Sequence, residues 1–164
     1  VSKAFSMTGW RIGYGAGNTK LVKSIAKIQS QSTTNPCSIS QMAAKFALDT
    51  KKNFLSDWIK QFEERKNFLI EFFNSISQFE VIDPDGAFYL FVGCEGFIKK
   101  KTPEGKIISN DVDFAEFILT DSKVAIVPGI AFGKSPYFRI SYATSLDDLK
   151  LACEQIKNSV SKII

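Results

Sequence analysis

A chain of 164 residues, 45% hydrophobic, with 21 basic and 17 acidic residues and a net charge of +4, can bury one good core and a minor second one. Three cysteines with no C-x-x-C pair, and no histidine at all, exclude the usual zinc sites and any Ser-His or Cys-His nucleophile within the chain. No apolar run approaches the roughly 20 residues of a membrane helix, and the odd thiol count fits a reducing cytosol, so no membrane partner and a cytoplasmic location are expected. Val1 in place of Met and the lack of an export signal predict a chain that starts inside a longer protein.

In chain order, residues 11–16 alternate as a short strand ending in Gly15 and Gly17, and Asn18 can cap a helix with Leu21, Val22, Ile25 and Ile28 on one face. The polar run 29–36 is a loop. Ser38 and Gln41 have capping-box spacing and start a helix through about Leu48. From Phe54, apolar residues at Leu55, Trp58, Ile59, Phe62, Leu69, Phe72, Phe73 and Ile76 keep helical spacing over an unusual length, as in a helix that links two packed bodies.

Strands are then predicted over 79–82 and 87–92, separated by the turn Asp83-Pro84-Asp85-Gly86. The basic cluster Lys99 to Lys101 joins the turn Thr102-Pro103-Glu104-Gly105 and reads as a solvated loop, so no nucleic-acid partner is expected. A helix follows over 111–119, a strand over 124–127 closed by Pro128-Gly129, a strand over 138–143, and a last helix capped by Ser145 and running to Val160. The order ββαββα places a small α/β domain at 77–164, the linking helix at 51–76, and the end of a larger domain at 1–50.

Gly13, Gly15 and Gly17 lie between a predicted strand and a helix, where phosphates are often held. Both standard motifs need glycine at position 18, which is Asn18. Small residues at a tight turn therefore explain them better than a dinucleotide or P-loop site.

The run Ser2-Lys3-Ala4-Phe5-Ser6-Met7-Thr8-Gly9-Trp10-Arg11-Ile12-Gly13-Tyr14 is far more specific. It resembles the cofactor-lysine segment of the aspartate aminotransferase family, pyridoxal-phosphate enzymes of fold type I. Asn35-Pro36-Cys37-Ser38-Ile39-Ser40-Gln41, Gly86-Ala87-Phe88-Tyr89-Leu90-Phe91, Val127-Pro128-Gly129-Ile130-Ala131-Phe132-Gly133 and Phe138-Arg139-Ile140-Ser141-Tyr142-Ala143 are similar to the same family in the same order. The similarity is greatest to bacterial aspartate aminotransferases, some of which also accept prephenate.

The resemblance implies an α/β fold, the carboxy-terminal part of a fold type I transferase. It also implies that Lys3 holds pyridoxal 5'-phosphate as a Schiff base, that Arg11 binds the cofactor phosphate, and that Arg139 grips the substrate carboxylate. A homodimer is implied, with 29–36 and the following helix as candidate contacts. The ring-binding residues and phosphate loop of the family lie upstream of the lysine, so the chain alone is expected to be inactive. Amino acid and 2-oxo acid substrates follow, with aspartate and 2-oxoglutarate as the leading pair.

The chemistry is coherent with the residue types. A lysine amine becomes nucleophilic when desolvated or set near other cations. Arginine offers a phosphate or carboxylate a planar fork of donors. Arg139, inside an apolar β-rich run, needs an anionic partner, either a substrate carboxylate or a local aspartate. Phe88 and Tyr89 read as core residues of the small domain. Two other uses of the same scaffold remain: a sensor domain of a transcription regulator and a pyridoxal-phosphate lyase.

Overall fold

A computed structural model describes residues 1–51 and 53–164; Lys52, inside the expected linking helix, lies outside the described residues. The chain divides into two compact units, Val1–Trp58 and Ile59–Ile164, and the division falls within a helix of 22 residues, α3 (Asn53–Asn74).

The first unit holds α1 (Thr19–Gln31) and α2 (Ser38–Asp49). Asn18 caps α1 as expected, its side-chain oxygen accepting from the Lys20 amide at 2.9 Å. The apolar stripe Leu21, Val22, Ile25 and Ile28 is exposed along its length, and α1 buries no residue. The capping box at Ser38 does not form. Cys37 is the residue before the first turn of α2, and the Gln41 side-chain Nε2 donates instead to the Pro36 carbonyl at 2.9 Å. Residues 11–16 do not form the expected strand. A strand needs a neighbour to take its amides and carbonyls, and the first unit contains no other extended segment among the described residues.

The second unit is a four-stranded antiparallel sheet of order β1-β2-β4-β3, with β1 at Glu80–Ile82, β2 at Tyr89–Gly93, β3 at Val127–Pro128 and β4 at Tyr137–Ser141. Helices α4 (Asp111–Ser122) and α5 (Leu146–Val160) complete the predicted ββαββα order. Strand β3 is shorter than expected. Lys123 turns left-handed at the end of α4 and the Val124 amide bonds the Ser122 hydroxyl, while Pro128 has no amide to extend the ladder.

Alternation along β2 and β4 separates two faces. Leu90, Val92, Phe138 and Ile140 are buried and pack with Leu69 and Phe73 of α3, Phe114 and Ile118 of α4, and Leu149, Cys153 and Ile156 of α5. Edge-on aromatic contacts run through this core, Phe73 to Phe79 at 5.1 Å and Phe73 to Phe138 at 5.7 Å between ring centres. Asn110 caps α4 by accepting from the Val112 and Asp113 amides, and Ser145 caps α5 by accepting from the Asp148 amide. The ends of the two helices are tied by Asp121, which accepts from Ser159 at 2.6 Å and from Lys162 at 2.7 Å.

Burial has a chemical signature in the thiols. Desolvation pushes both Cys94 and Cys153 up to about 12, whereas backbone amides of Ser40 and Ile39 lower the exposed Cys37 thiol. Iodoacetamide at pH 8 is therefore expected to modify Cys94 and Cys153 only after the chain is unfolded in denaturant, with Cys37 the first thiol labelled in the folded chain. Peptide mass mapping checks this, and equal labelling of all three in native buffer would contradict the packing.

Candidate active site

In the first unit, Lys3 lies in a turn closed by the Phe5 amide on the Val1 carbonyl at 3.0 Å and by the Ser6 amide on the Lys3 carbonyl at 3.3 Å. Its side chain is exposed and makes no ion pair or side-chain hydrogen bond among the described residues. A single 3-10 turn, Thr8–Trp10, follows and ends at Arg11, which is left-handed with φ 49° and ψ 47°. Ser6 is left-handed too, at φ 52°. Two non-glycine residues in this region within six positions cost about 1–2 kcal/mol each, and such strain clusters at functional segments.

The Arg11 guanidinium donates through Nη1 to the Thr8 carbonyl at 3.0 Å, which leaves most of its donors uncommitted. The wider setting is strongly positive. Residues 1–58 contain eight basic side chains against two acidic ones, a net +6 in a chain whose total is +4, and the ion pair found among the described residues of this unit, Lys45 with Asp49, involves neither Lys3 nor Arg11. The bias was legible in the sequence, had the charges been counted by unit. Gly13, Gly15 and Gly17 each face open space at their Cβ positions, so no close approach of backbone demands them within this chain.

The second unit presents Arg139 at the middle of β4, directly opposite Phe91 of β2 and Val127 of β3. Its side chain leaves the sheet on the face away from the core. The guanidinium carbon lies 4.2 Å from the ring centre of Tyr89 and 4.6 Å from that of Phe132, each contact adding roughly 0.5–2 kcal/mol of cation–π attraction. No ion pair among the described residues includes Arg139. Among the described residues the local aspartate that the sequence left open as a partner does not pair with it, and two rings lie against the charge.

The same face continues through Phe91, stacked on Tyr137 at 5.1 Å with the rings 9° apart. Lys134 sits over the Tyr137 ring, 4.7 Å from its centre. The Tyr137 hydroxyl donates to Glu80 at 2.8 Å, and this bond to a carboxylate raises its pKa, so it stays a neutral donor at physiological pH. Tyr89 is accordingly not a core residue as expected; only its neighbour Phe88 packs against the core. The signal was available: Tyr89, Phe91, Tyr137 and Arg139 share parity along paired strands, so a cation placed outward puts those rings outward with it. Phe132, from the turn after β3, could not be found that way.

A profile of the family described as aminotransferase class I and II matches residues 1–156. The chain belongs to that family. It is 50% identical over 163 residues to a probable aspartate/prephenate aminotransferase of Rickettsia typhi, covering 99% of this chain and 41% of the relative. Among solved structures, the aspartate aminotransferase of Rhizobium meliloti superposes with a TM-score of 0.93 at 47% identity, over 99% of this chain and 41% of that one. The aspartate aminotransferase of Thermotoga maritima gives 0.81 at 37% identity, over 98% and 38%. This aminotransferase-family chain therefore spans about 40% of the length of the relatives it matches, and its α/β architecture is that of the carboxy-terminal part of a fold type I transferase, as the sequence implied.

Proposed function

We propose that this chain is the part of a pyridoxal-phosphate aminotransferase that supplies the cofactor lysine, one phosphate ligand and the substrate-carboxylate ligand, for transfer of an amino group between aspartate and 2-oxoglutarate. The observation that carries it is Arg139, a guanidinium set against the rings of Tyr89 and Phe132 with no acidic partner among the described residues. A cation held at fixed orientation and left without a counter-ion is prepared for an anion from outside. The names of the Rickettsia and Rhizobium relatives support the aspartate reading.

The residues fit the cofactor. Arg11 has uncommitted donors in a unit of net charge +6, suited to a phosphate dianion, and Lys3 has an exposed amine with no acidic neighbour bound to it. Pyridoxal phosphate supplies, when bound, a conjugated ring that withdraws electrons from the substrate's α-carbon. Lys3 would hold the cofactor covalently and, once displaced by substrate, serve as the general base that removes the α-proton. Arg139 would fix the α-carboxylate and so the direction of the α-carbon's bonds. The exposed apolar residues Ile39, Met42 and Phe46 of α2, with the loop 29–36, are suited to contact a second copy in a homodimer.

Borohydride reduction of the full-length protein followed by peptide mapping is expected to place the cofactor label on Lys3, and Lys3→Ala to abolish both label and transamination. A label on any other lysine would overturn the assignment. Removing one member of a desolvated ion pair costs on the order of 3–5 kcal/mol, so Arg139→Ala should lower kcat/KM by roughly 10²–10³ for amino acid and oxo acid alike. Cofactor occupancy should survive, and Arg139→Lys should recover only part of the loss because it lacks the fork. Half-reaction kinetics with occupancy read from cofactor absorbance checks this; lost occupancy with unchanged kcat/KM per bound cofactor would make Arg139 a structural residue. Sedimentation velocity of the intact protein should show a dimer, and a stable, active monomer would refute the interface.

A further inference from the structure

Asp111 is the most deeply buried charged side chain described, 1% exposed at the first turn of α4, and none of the ion pairs among the described residues includes it. A carboxylate without a cation in that position is costly unless its oxygens are satisfied. They are, by two short bonds: Oδ2 accepts from the Ile130 amide at 2.7 Å and Oδ1 from the Ser135 hydroxyl at 2.6 Å. The helix start adds favourable potential.

Those two donors lie at opposite ends of one tight turn. Residues 129–134 close on themselves through the Gly133 amide on Ile130 at 3.0 Å and the Lys134 amide on Gly129 at 3.1 Å. A side chain at Gly129 would come within 2.1 Å of the Lys134 carbonyl, so the turn admits only glycine there. Between the two anchored ends sits Phe132, over whose ring the Arg139 guanidinium lies, 4.6 Å from the ring centre. The chain of contacts therefore runs from a buried carboxylate, through a turn pinned at both ends, to the orientation of the guanidinium.

We propose that Asp111 is a positioning residue for carboxylate recognition: by pinning both ends of the 129–135 turn it holds Phe132 against Arg139 and so sets the plane of the guanidinium fork. The inference rests on Arg139 being the substrate-carboxylate ligand. Bidentate recognition depends on the angle of a planar group, and Arg139 has no acidic partner to fix that angle. A turn freed at one or both ends leaves the charge in place and loosens its geometry, which weakens carboxylate binding more than it slows chemistry.

The test uses the full-length enzyme loaded with cofactor and maleate as the dicarboxylate probe, its Kd read from the change in cofactor absorbance. Asp111→Asn is expected to raise the maleate Kd and the amino acid KM by roughly tenfold, with kcat and cofactor occupancy changed less than about threefold. Phe132→Leu should weaken maleate as well, and the double variant should be no worse than the poorer single, because both changes act through one contact. Fully additive effects in that cycle, or an unchanged Kd, would overturn the proposal and leave Asp111 an anchor of the fold alone. Should Asp111→Asn fail to fold, Ser135→Ala, which deletes one of the two bonds, enters the same cycle with Phe132→Leu under the same two criteria. Arg139→Ala separates the levels. If it leaves the maleate Kd unchanged, the carboxylate site itself is misplaced; if it weakens maleate while Asp111→Asn and Ser135→Ala do not, only the positioning role fails.

Discussion

Antiparallel pairing of β4 between β2 and β3 is the constraint from which the second unit follows. Five consecutive residues of β4 are held in register with β2, Tyr137 against Gly93 through Ser141 against Tyr89, and with that register the parity of every side chain is set. A slip of one residue would turn Phe138 and Ile140 out of the core and drive Arg139 in among Phe73, Phe79 and Phe114. Desolvating an unpaired guanidinium there would cost several kcal/mol. The aromatic core and the outward arginine thus enforce the same register from opposite faces, and the aromatic packing that stabilises the sheet also aims the cation.

The outward face shows how a charge can be fixed without being neutralised. An acidic partner would orient Arg139 and occupy it together. Rings lie against it and leave its donors available, at an energy of about 0.5–2 kcal/mol per contact. Tyr89 comes from the sheet and Phe132 from the turn 129–135, so the geometry of the guanidinium depends on two separate pieces of the fold. Glu80, the carboxylate on this face, is engaged by the Tyr137 hydroxyl at 2.8 Å.

The first unit presents a different balance. Its helices carry amphipathic stripes, and α1 is capped by Asn18, yet α1 buries nothing and α2 buries only Ser40 and Ala44. Its positive charge is likewise uncompensated, at eight basic against two acidic residues. An exposed apolar stripe is unfavourable in water and like charges crowded together repel; the chain spans about 40% of the length of the relatives it matches. Left-handed Ser6 and Arg11 belong to the same picture, since strain of that kind persists where surroundings hold it.

Local patterning determined a great deal of this protein. The helical period of 54–76, the caps Asn18, Asn110 and Ser145, the turn at 83–86 and the alternation of 87–92 and 138–143 are all short-range properties, and the elements they predict are present within a few residues. The run around Lys3 and the segment around Arg139 were also readable, because their residue order is specific. What sequence could not decide depended on partners distant along the chain. Residues 11–16 alternate like a strand but have no neighbouring strand to bond within their unit, and the Gln41 side chain, expected to close a capping box with Ser38, donates to the Pro36 carbonyl instead. Tyr89 read as a core residue because an aromatic strand usually is one; only the register with β4 showed that it faces Arg139. Phe132 and Asp111 stand 7 and 28 positions before Arg139 with no period linking them, and their connection exists solely because the 129–135 turn folds onto the start of α4. Periodicity and capping act over a turn or two of chain and are written in neighbouring residues, whereas the environment of a charge is made by whatever the packed fold brings to it.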